Sequence, residues 1–194
     1  MDHDVQDIPA AKKALRAELF AARKQRTPEE REETNAAFRS GVQQLLTPSM
    51  KVAAYDPLGS EPGGSEFVEF IAGRCAEVYL PITCGEGKLE WALFEGREAM
   101  RPGAMGIAEP TGPRHDSSLL AELDMLLVPA MAISPSGARM GKGGGYYDRA
   151  LQPLPTGQPP KVALVYASEI LDVPAEAHDC VVDGVLTERE MRWL

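Results

Sequence analysis

Apolar residues recur at helical spacing in the first part of the chain. Residues 9–26 are rich in strong helix formers, and Leu15, Leu19 and Ala22 follow the i, i+4, i+7 spacing of one helical face. The pattern predicts an amphipathic helix over residues 9–26, with that face packed against the rest of the protein.

A second helix is predicted a few residues later, because the sequence there carries a capping signal. Thr27 can serve as N-cap, Pro28 suits the first helical position, and Glu30 stands where a capping box requires an acid. This helix should continue to about Leu46, where the sequence TPS ends it.

Shorter apolar segments, separated by turn residues, predict strands. Strands are expected over residues 51–58, 77–82, 88–95, 124–133 and 161–167, with helices over 65–75 and 146–152 and a short helical turn over 117–123. We expect Ser65 to lead the third helix and residues 101–110 to form a loop. The final residues should form a loop, a short strand and a tail.

Strands that alternate with helices favour an α/β fold with a mostly parallel sheet. We expect one layered domain over residues 1–194, of which residues 1–10 form a flexible N-terminal tail. In such folds, ligands bind at the carboxyl ends of the strands. The glycine-rich stretch that follows the fourth predicted strand falls at that edge.

The amino-acid composition indicates which class of protein this is and which kinds of partner are disfavoured. With 44% hydrophobic and 25% charged residues, it is typical of a soluble globular protein. A net charge of −9 argues against a nucleic-acid partner, so an anionic ligand would have to be held by local positive groups. No membrane span and no secretory signal are indicated, since apolar runs are short and the first residues are acidic.

The cysteines suggest a reducing compartment. Cys75, Cys84 and Cys180 form no CxxC pair, and no histidine or cysteine stands at metal-ligand spacing from them. We therefore expect reduced thiols in a cytoplasmic protein.

The stretch RMGKGGGYYDR, residues 139–149, carries the clearest chemical signal. Successive glycine N–H groups can form an anion-binding nest, the following helix adds its N-terminal dipole, and Arg139 and Lys142 add full charges. Asp148 suits a magnesium ion that accompanies a polyphosphate. The stretch matches neither a Walker A loop nor a dinucleotide fingerprint, and a plain flexible turn is the alternative. The pattern favours phosphate binding, which indicates a ligand but no reaction.

With its surroundings included, the sequence resembles the 5-formyltetrahydrofolate cyclo-ligase family, also called methenyltetrahydrofolate synthetases. The similar segments are KKALRAEL (12–19), YDPLGSEP (55–62), GIAEP (106–110), DMLLVPAMAISPSGARMGKGGGYYDRAL (124–151) and AEAHDCVVDGVLTE (175–188). The resemblance implies an α/β domain with a mixed, largely parallel sheet flanked by helices. It also implies ATP- and Mg²⁺-dependent conversion of 5-formyltetrahydrofolate to 5,10-methenyltetrahydrofolate, with release of ADP and phosphate, by a cytoplasmic enzyme that we expect to be a monomer.

The resemblance also assigns residues to ligands. It implies ATP contacts by Lys12, Arg16, Arg139, Met140, Gly141, Lys142, Gly143, Gly144, Gly145, Tyr146 and Tyr147, folate contacts by Glu61, Lys142 and Tyr146, and magnesium ligands Asp148 and Asp179. Arg139 and Lys142 would stabilise the transferring charge, with no covalent nucleophile. Lys13 competes with Lys12, and Asp183 competes with Asp179. Without the family, the early basic pair and the loop acids would be ordinary solvated charges.

Two other functions remain open at this stage. A sugar-phosphate isomerase or CoA transferase could use the same loop, with Glu61 as a carboxylate base or nucleophile, and would not need ATP. A non-catalytic folate or nucleotide sensor would not need Asp148 and Asp179 for magnesium. Tyr146, Tyr147 and Trp91 are candidates to line a pterin slot, although sheet packing is the simpler role for Trp91.

Overall fold

The computed structural model describes residues 7–176 and 178–194. The helices are α1 (Ile8–Gln25), α2 (Pro28–Gln43), α3 (Phe67–Ala72) and α4 (Tyr146–Leu151). The strands are β1 (Lys51–Ala53), β2 (Glu77–Thr83), β3 (Leu89–Leu93), β4 (Met100–Pro102), β5 (Ala108–Pro110), β6 (Met125–Pro129), β7 (Ala132–Ile133), β8 (Arg139–Met140), β9 (Lys161–Leu164), β10 (Gly184–Leu186) and β11 (Met191–Trp193).

Seven strands form the central sheet, in the order β11-β10-β9-β6-β1-β2-β3. The pairs from β10 to β2 are parallel, whereas β3 and β11 pair antiparallel at the two edges. The predicted α/β fold, with a mixed and largely parallel sheet flanked by helices, is confirmed. The chain leaves β1 towards β2 and later returns on the other side at β6, so the carboxyl ends of β1 and β6 border a crevice.

Both faces of the sheet are covered by apolar packing. Val52 and Ala53 are neighbours in β1, yet Val52 belongs to the cluster around Phe38 and Phe67, and Ala53 belongs to the cluster around Trp91. This is the two-residue alternation of a strand with both faces buried. Because both faces are buried, the strand segments are continuously apolar, and no alternation of polar and apolar residues marks where each strand begins and ends.

The predicted capping box is present at the start of α2. The Glu30 N–H donates to Thr27 Oγ1 at 3.2 Å, and the Thr27 N–H donates to Glu30 Oε2 at 2.8 Å. The helix nevertheless ends at Gln43, before the expected Leu46. Helix α1 begins at Ile8, so the end of the expected tail over residues 1–10 is helical, and residues 1–6 lie outside the described part.

Three local expectations were wrong. The expected loop over residues 101–110 contains a hairpin, because β4 and β5 pair antiparallel with Met100 opposite Pro110. Ser65 does not cap α3, which follows Glu66 without a side-chain cap. The expected tail pairs as β11 with β10. Proline, glycine and the short length of these strands hid their pattern in the sequence.

None of the helices in the described ranges combines the length and the apolar character needed to cross a bilayer.

Candidate active site

A cavity of about 600 Å³ opens at the carboxyl ends of β1 and β6. Its lining includes every site residue assigned from the sequence, namely Lys12, Arg16, Glu61, Arg139, Met140, Gly141, Lys142, Gly143, Gly144, Gly145, Tyr146, Tyr147, Asp148 and Asp179. The competing Lys13 is exposed on α1, and Asp183 accepts the Lys161 N–H at 2.8 Å; neither belongs to this lining. The fold thus gathers the assigned residues, and their individual roles stay predictions.

The glycine loop, residues 141–145, forms one wall of this cavity. Gly143 and Gly145 adopt φ values of 108° and 69°, which glycine tolerates far better than other residues. Arg16 Nε of α1 donates to the Gly141 carbonyl at 2.8 Å, and Arg149 Nη1 of α4 donates to the Gly144 carbonyl at 3.0 Å. Two guanidinium groups therefore hold the loop, one near each end.

Arg139 is a buried cation beside the loop, with 3% of its surface exposed. Its Nη1 donates to the Pro129 carbonyl at 2.8 Å, and its Nη2 donates to Asp148 Oδ1 at 3.2 Å. Its Nε is buried and has no hydrogen-bond partner among the described residues. The guanidinium thus links the end of β6 to α4, and its Nε remains available as a further donor.

Lys12 brings α1 together with the C-terminal part of the chain. Its Nζ lies 2.8 Å and 2.7 Å from the two carboxylate oxygens of Asp179 and 2.8 Å from Glu176 Oε2. Burial would lower the pKa of Lys12, but the hydrogen bonds to Asp179 and Glu176 raise it above its usual value. Burial would likewise raise the pKa of Asp179, and the bonds from Lys12 and from the Glu176 N–H hold it low.

The two carboxylates assigned to magnesium differ in their readiness for a metal. Asp148 uses Oδ1 to accept from Arg139 and from the Cys180 N–H, while its Oδ2 accepts no hydrogen bond from the described residues. Asp148 therefore fits a magnesium ligand as it stands. Both oxygens of Asp179 are occupied by Lys12, so Asp179 fits such a role only when that ammonium turns to another anion.

Lys142 and Glu61 meet across the cavity. Lys142 Nζ of the glycine loop lies 2.7 Å from Glu61 Oε1, and the other Glu61 oxygen accepts the Leu58 N–H at 2.8 Å. Glu61 is almost buried, whereas half of the Lys142 side chain is exposed. The acid is thus fixed by its own loop, and the lysine is its mobile partner.

The aromatic candidates separate into two groups. Tyr146 and Tyr147 line the cavity, whereas Trp91 is not among the described lining residues and packs against the Tyr147 ring at 6.1 Å. The Tyr147 hydroxyl is buried without a partner in the described part of the chain, and burial raises its pKa. Trp91 therefore packs behind Tyr147 and does not itself line the cavity.

Sequence reasoning missed several polar groups of the cavity, among them Tyr55, Asp56 and Glu176. Asp56 follows β1 and receives a bidentate contact from Arg97, with Nη1 to Oδ2 at 2.6 Å and Nη2 to Oδ1 at 2.9 Å. Arg97 also donates to the Ser65 carbonyl at 2.8 Å and to Glu69 of α3. The position of Asp56 just after a strand could have indicated a residue of the cavity. Its pairing with Arg97, 41 residues away, could not be predicted from the local sequence.

Comparison with known proteins gives a consistent result. A family model described as the 5-formyltetrahydrofolate cyclo-ligase family matches residues 8–188. A 5-formyltetrahydrofolate cyclo-ligase from Mycolicibacterium smegmatis is 34% identical, over 93% of this chain and 95% of that protein. The one from Escherichia coli K12 is 26% identical, over 83% of this chain and 91% of its own length. The solved structure of Aquifex aeolicus 5,10-methenyltetrahydrofolate synthetase has a TM-score of 0.78 and 28% identity, covering 94% of this chain and 92% of that chain.

Proposed function

Since this chain belongs to the 5-formyltetrahydrofolate cyclo-ligase family, we propose that it converts 5-formyltetrahydrofolate to 5,10-methenyltetrahydrofolate at the expense of ATP, with Mg²⁺ bound to the nucleotide. The observation that carries the proposal is a single cavity lined by a glycine loop, by four cationic side chains and by carboxylates suited to a metal and to a pterin. We propose that the chain acts as a cytoplasmic monomer with residues 1–194 in one domain.

The reaction must activate an inert group. The 5-formyl group is an amide, so its carbon is a poor electrophile and its oxygen cannot leave as oxide. Transfer of the γ-phosphoryl group of ATP to the formyl oxygen releases ADP and turns that oxygen into a phosphate ester. The N10 nitrogen then adds to the activated carbon, its proton is lost, and phosphate departs to leave the methenyl bridge.

This sequence of steps asks the protein for alignment and charge neutralisation rather than for a nucleophile. Arg139 and Lys142, which line the cavity, would stabilise the transferring phosphoryl group, and the glycine loop would donate its N–H groups to phosphate oxygens. Lys12 and Arg16 of α1 extend the cationic surface along the polyphosphate. Magnesium, held by Asp148 and by Asp179 once Lys12 has moved, would neutralise phosphate charge.

The other half of the cavity suits the pterin. Pro81, Leu89, Ile107 and Tyr146 line the cavity with apolar surface, which suits a flat ring. Glu61 is a carboxylate with little exposure to solvent, and it can accept hydrogen bonds from the amino and ring N–H groups of a pterin edge. The two substrates would therefore meet at the glycine loop, where Lys142 and Tyr146 can touch both.

One assay separates this function from the alternatives. The protein is mixed with 5-formyltetrahydrofolate, MgCl₂ and ATP, and the absorbance of the methenyl product is followed. We expect product only when all three are present, with one ADP formed per methenyl group. Turnover without ATP would favour an isomerase or transferase, and ligand binding without product would favour a sensor; either result would contradict the proposal.

A further inference from the structure

The ion pair between Lys142 and Glu61 joins two residues that need different ligands. Lys142 belongs to the glycine loop, where a polyphosphate would bind, and Glu61 belongs to the loop after β1, where a pterin edge would bind. Their charged atoms lie 2.7 Å apart, so each now neutralises the other. Neither can reach full contact with its own ligand while this pair persists.

The pair is built so that one side can release the other. Glu61 is 9% exposed, and the Leu58 N–H holds its second oxygen, so its position depends little on Lys142. The Lys142 side chain is 51% exposed and follows a glycine, Gly141, and precedes another, Gly143. A half-exposed lysine between two glycines can exchange one anionic partner for another, because its ammonium remains partly solvated.

A folate supplies the groups that would displace the lysine. The pterin edge carries a 2-amino group and a ring N–H, which donate hydrogen bonds but carry no full positive charge. Bound at Glu61, this edge replaces the ammonium as hydrogen-bond donor and leaves Lys142 without its carboxylate. The ammonium can then pair with the phosphates of ATP, which the glycine loop would hold beside it.

We propose that this exchange couples the two substrates: folate bound at Glu61 releases Lys142 to the phosphates of ATP, and nucleotide binding in turn releases Glu61 to the pterin. The inference rests on the proposed function and extends it to the order of events in the cavity. Because coupling between two binding sites is reciprocal, each ligand must tighten the other by the same factor. Without folate, ATP can engage Lys142 only by breaking its ion pair with Glu61, so the nucleotide binds more weakly.

Calorimetric titration tests the coupling in the intact protein. The probes are the β,γ-imido analogue of ATP with MgCl₂, which cannot transfer its phosphoryl group, and 5-formyltetrahydrofolate. For the wild-type chain, we expect saturating folate to tighten nucleotide binding about five-fold or more, and saturating nucleotide to tighten folate binding by the same factor.

Two variants give opposite signs that a structural defect would not produce. Glu61→Gln keeps an oxygen for the Leu58 N–H but frees Lys142, so we expect weaker folate binding, tighter nucleotide binding without folate, and a coupling factor near one. Lys142→Met should weaken nucleotide binding and also abolish coupling. Lys88→Met removes the exposed pair between Lys88 and Glu86, outside the cavity lining, and should leave every affinity unchanged.

The outcomes of these titrations distinguish a failure of the proposed coupling from a failure of the proposed activity. If both ligands bind the wild-type chain independently, or if Glu61→Gln weakens nucleotide binding along with folate binding, the exchange is refuted while the proposed activity stands. If the wild-type chain binds neither ligand, both are refuted.

Discussion

At the scale of single residues, Lys12 shows how much one buried ammonium can organise. It compensates Asp179 and Glu176, which would otherwise be two neighbouring carboxylates at the edge of the cavity. Removing one member of a buried ion pair leaves the other charge uncompensated, and this lowers the free energy of unfolding by more than an exposed ion pair contributes to it.

We expect Lys12→Met to lower the free energy of unfolding by about 3 kcal/mol near neutral pH. The lowered pKa of Asp179 contributes stability above its unfolded pKa of about 3.9, and this contribution is lost as the pH falls through the folded pKa. The raised pKa of Lys12 contributes stability below ~10.5, which is lost as the pH rises through its folded pKa. Urea denaturation at several pH values should therefore show the largest difference in free energy of unfolding between the wild type and Lys12→Met within these pH limits.

The matched control is Lys13→Met, which removes an exposed charge from the next position of α1. Its free energy of unfolding should stay within about 0.5 kcal/mol of the wild type. An equal loss in both variants would show that the effect belongs to the helix and not to the buried pair.

Asp148 and Asp183 make a second matched comparison. Asp148→Asn removes the charge of the carboxylate whose Oδ2 accepts no hydrogen bond from the described residues, so we expect the Mg²⁺ concentration for half-maximal rate to rise about ten-fold. Asp183→Asn keeps an oxygen for the Lys161 N–H and should leave the magnesium titration unchanged. The titration is run on the cyclisation rate; a normal curve for Asp148→Asn would remove it from the metal site.

The chemical character of these residues could be predicted from the sequence, but their pairing could not. Four glycines and two cations within residues 139–145 indicate an anion site by themselves. In contrast, Lys12 and Asp179 lie 167 positions apart, and nothing local in either segment says that they meet. Assigning them to phosphate and to metal required the family resemblance, and only the folded chain shows that each neutralises the other.

At the scale of elements, Arg97 holds the loop after β1 in place. Its guanidinium contacts Asp56, the Ser65 carbonyl and Glu69, and so spans the segment that carries Glu61. A planar group with several fixed donors can tie three parts of a loop together, which a lysine could not do as well.

Arg97→Met should therefore loosen this loop while leaving the glycine loop intact. We expect faster amide hydrogen exchange over residues 57–66 and a higher KM for 5-formyltetrahydrofolate, with the KM for ATP changed less than two-fold. Arg114→Met, which breaks an exposed pair with Glu90, serves as the control and should alter neither. A uniform rise in exchange throughout the chain would point to general destabilisation instead.

The elements that could be predicted are those whose signal is local. The capping box marks the start of α2, and the apolar segments mark β2, β3, β6 and β9. The hairpin of β4 and β5 was missed because its strands have three residues each and contain prolines, so pairing across the turn decides their structure. Strand β11 was missed for a similar reason, since its three residues form a strand by pairing with β10.

At the scale of the whole molecule, a chain of net charge −9 brings four cationic side chains into one cavity, where they lie among five carboxylates. Lys12, Arg16, Arg139 and Lys142 come from two distant segments, α1 and the stretch after β6, and line the same space. A parallel sheet was predictable from alternating elements, whereas the order that puts β1 next to β6, and hence the crevice, was not.

Because the cavity joins several segments, its ligands should stabilise the entire fold. With MgCl₂ and the imido analogue of ATP at about 100 times its Kd, binding adds about 2.7 kcal/mol to the free energy of unfolding. For a chain of this size, that corresponds to a rise in Tm of about 5–10 °C by differential scanning calorimetry. Lys142→Met at the same nucleotide concentration should show a smaller rise, and an equal one would exclude this lysine from the phosphate site.

The contact between Lys12 and Asp179 also constrains when the enzyme can first act during its synthesis. The first helix leaves the ribosome early, but the aspartate that holds its lysine is translated 167 residues later. A nascent chain, or a fragment cut before this point, would carry the glycine loop and most of the sheet and still lack a finished nucleotide pocket. Activity should therefore arise only after Asp179 has been translated and has met Lys12.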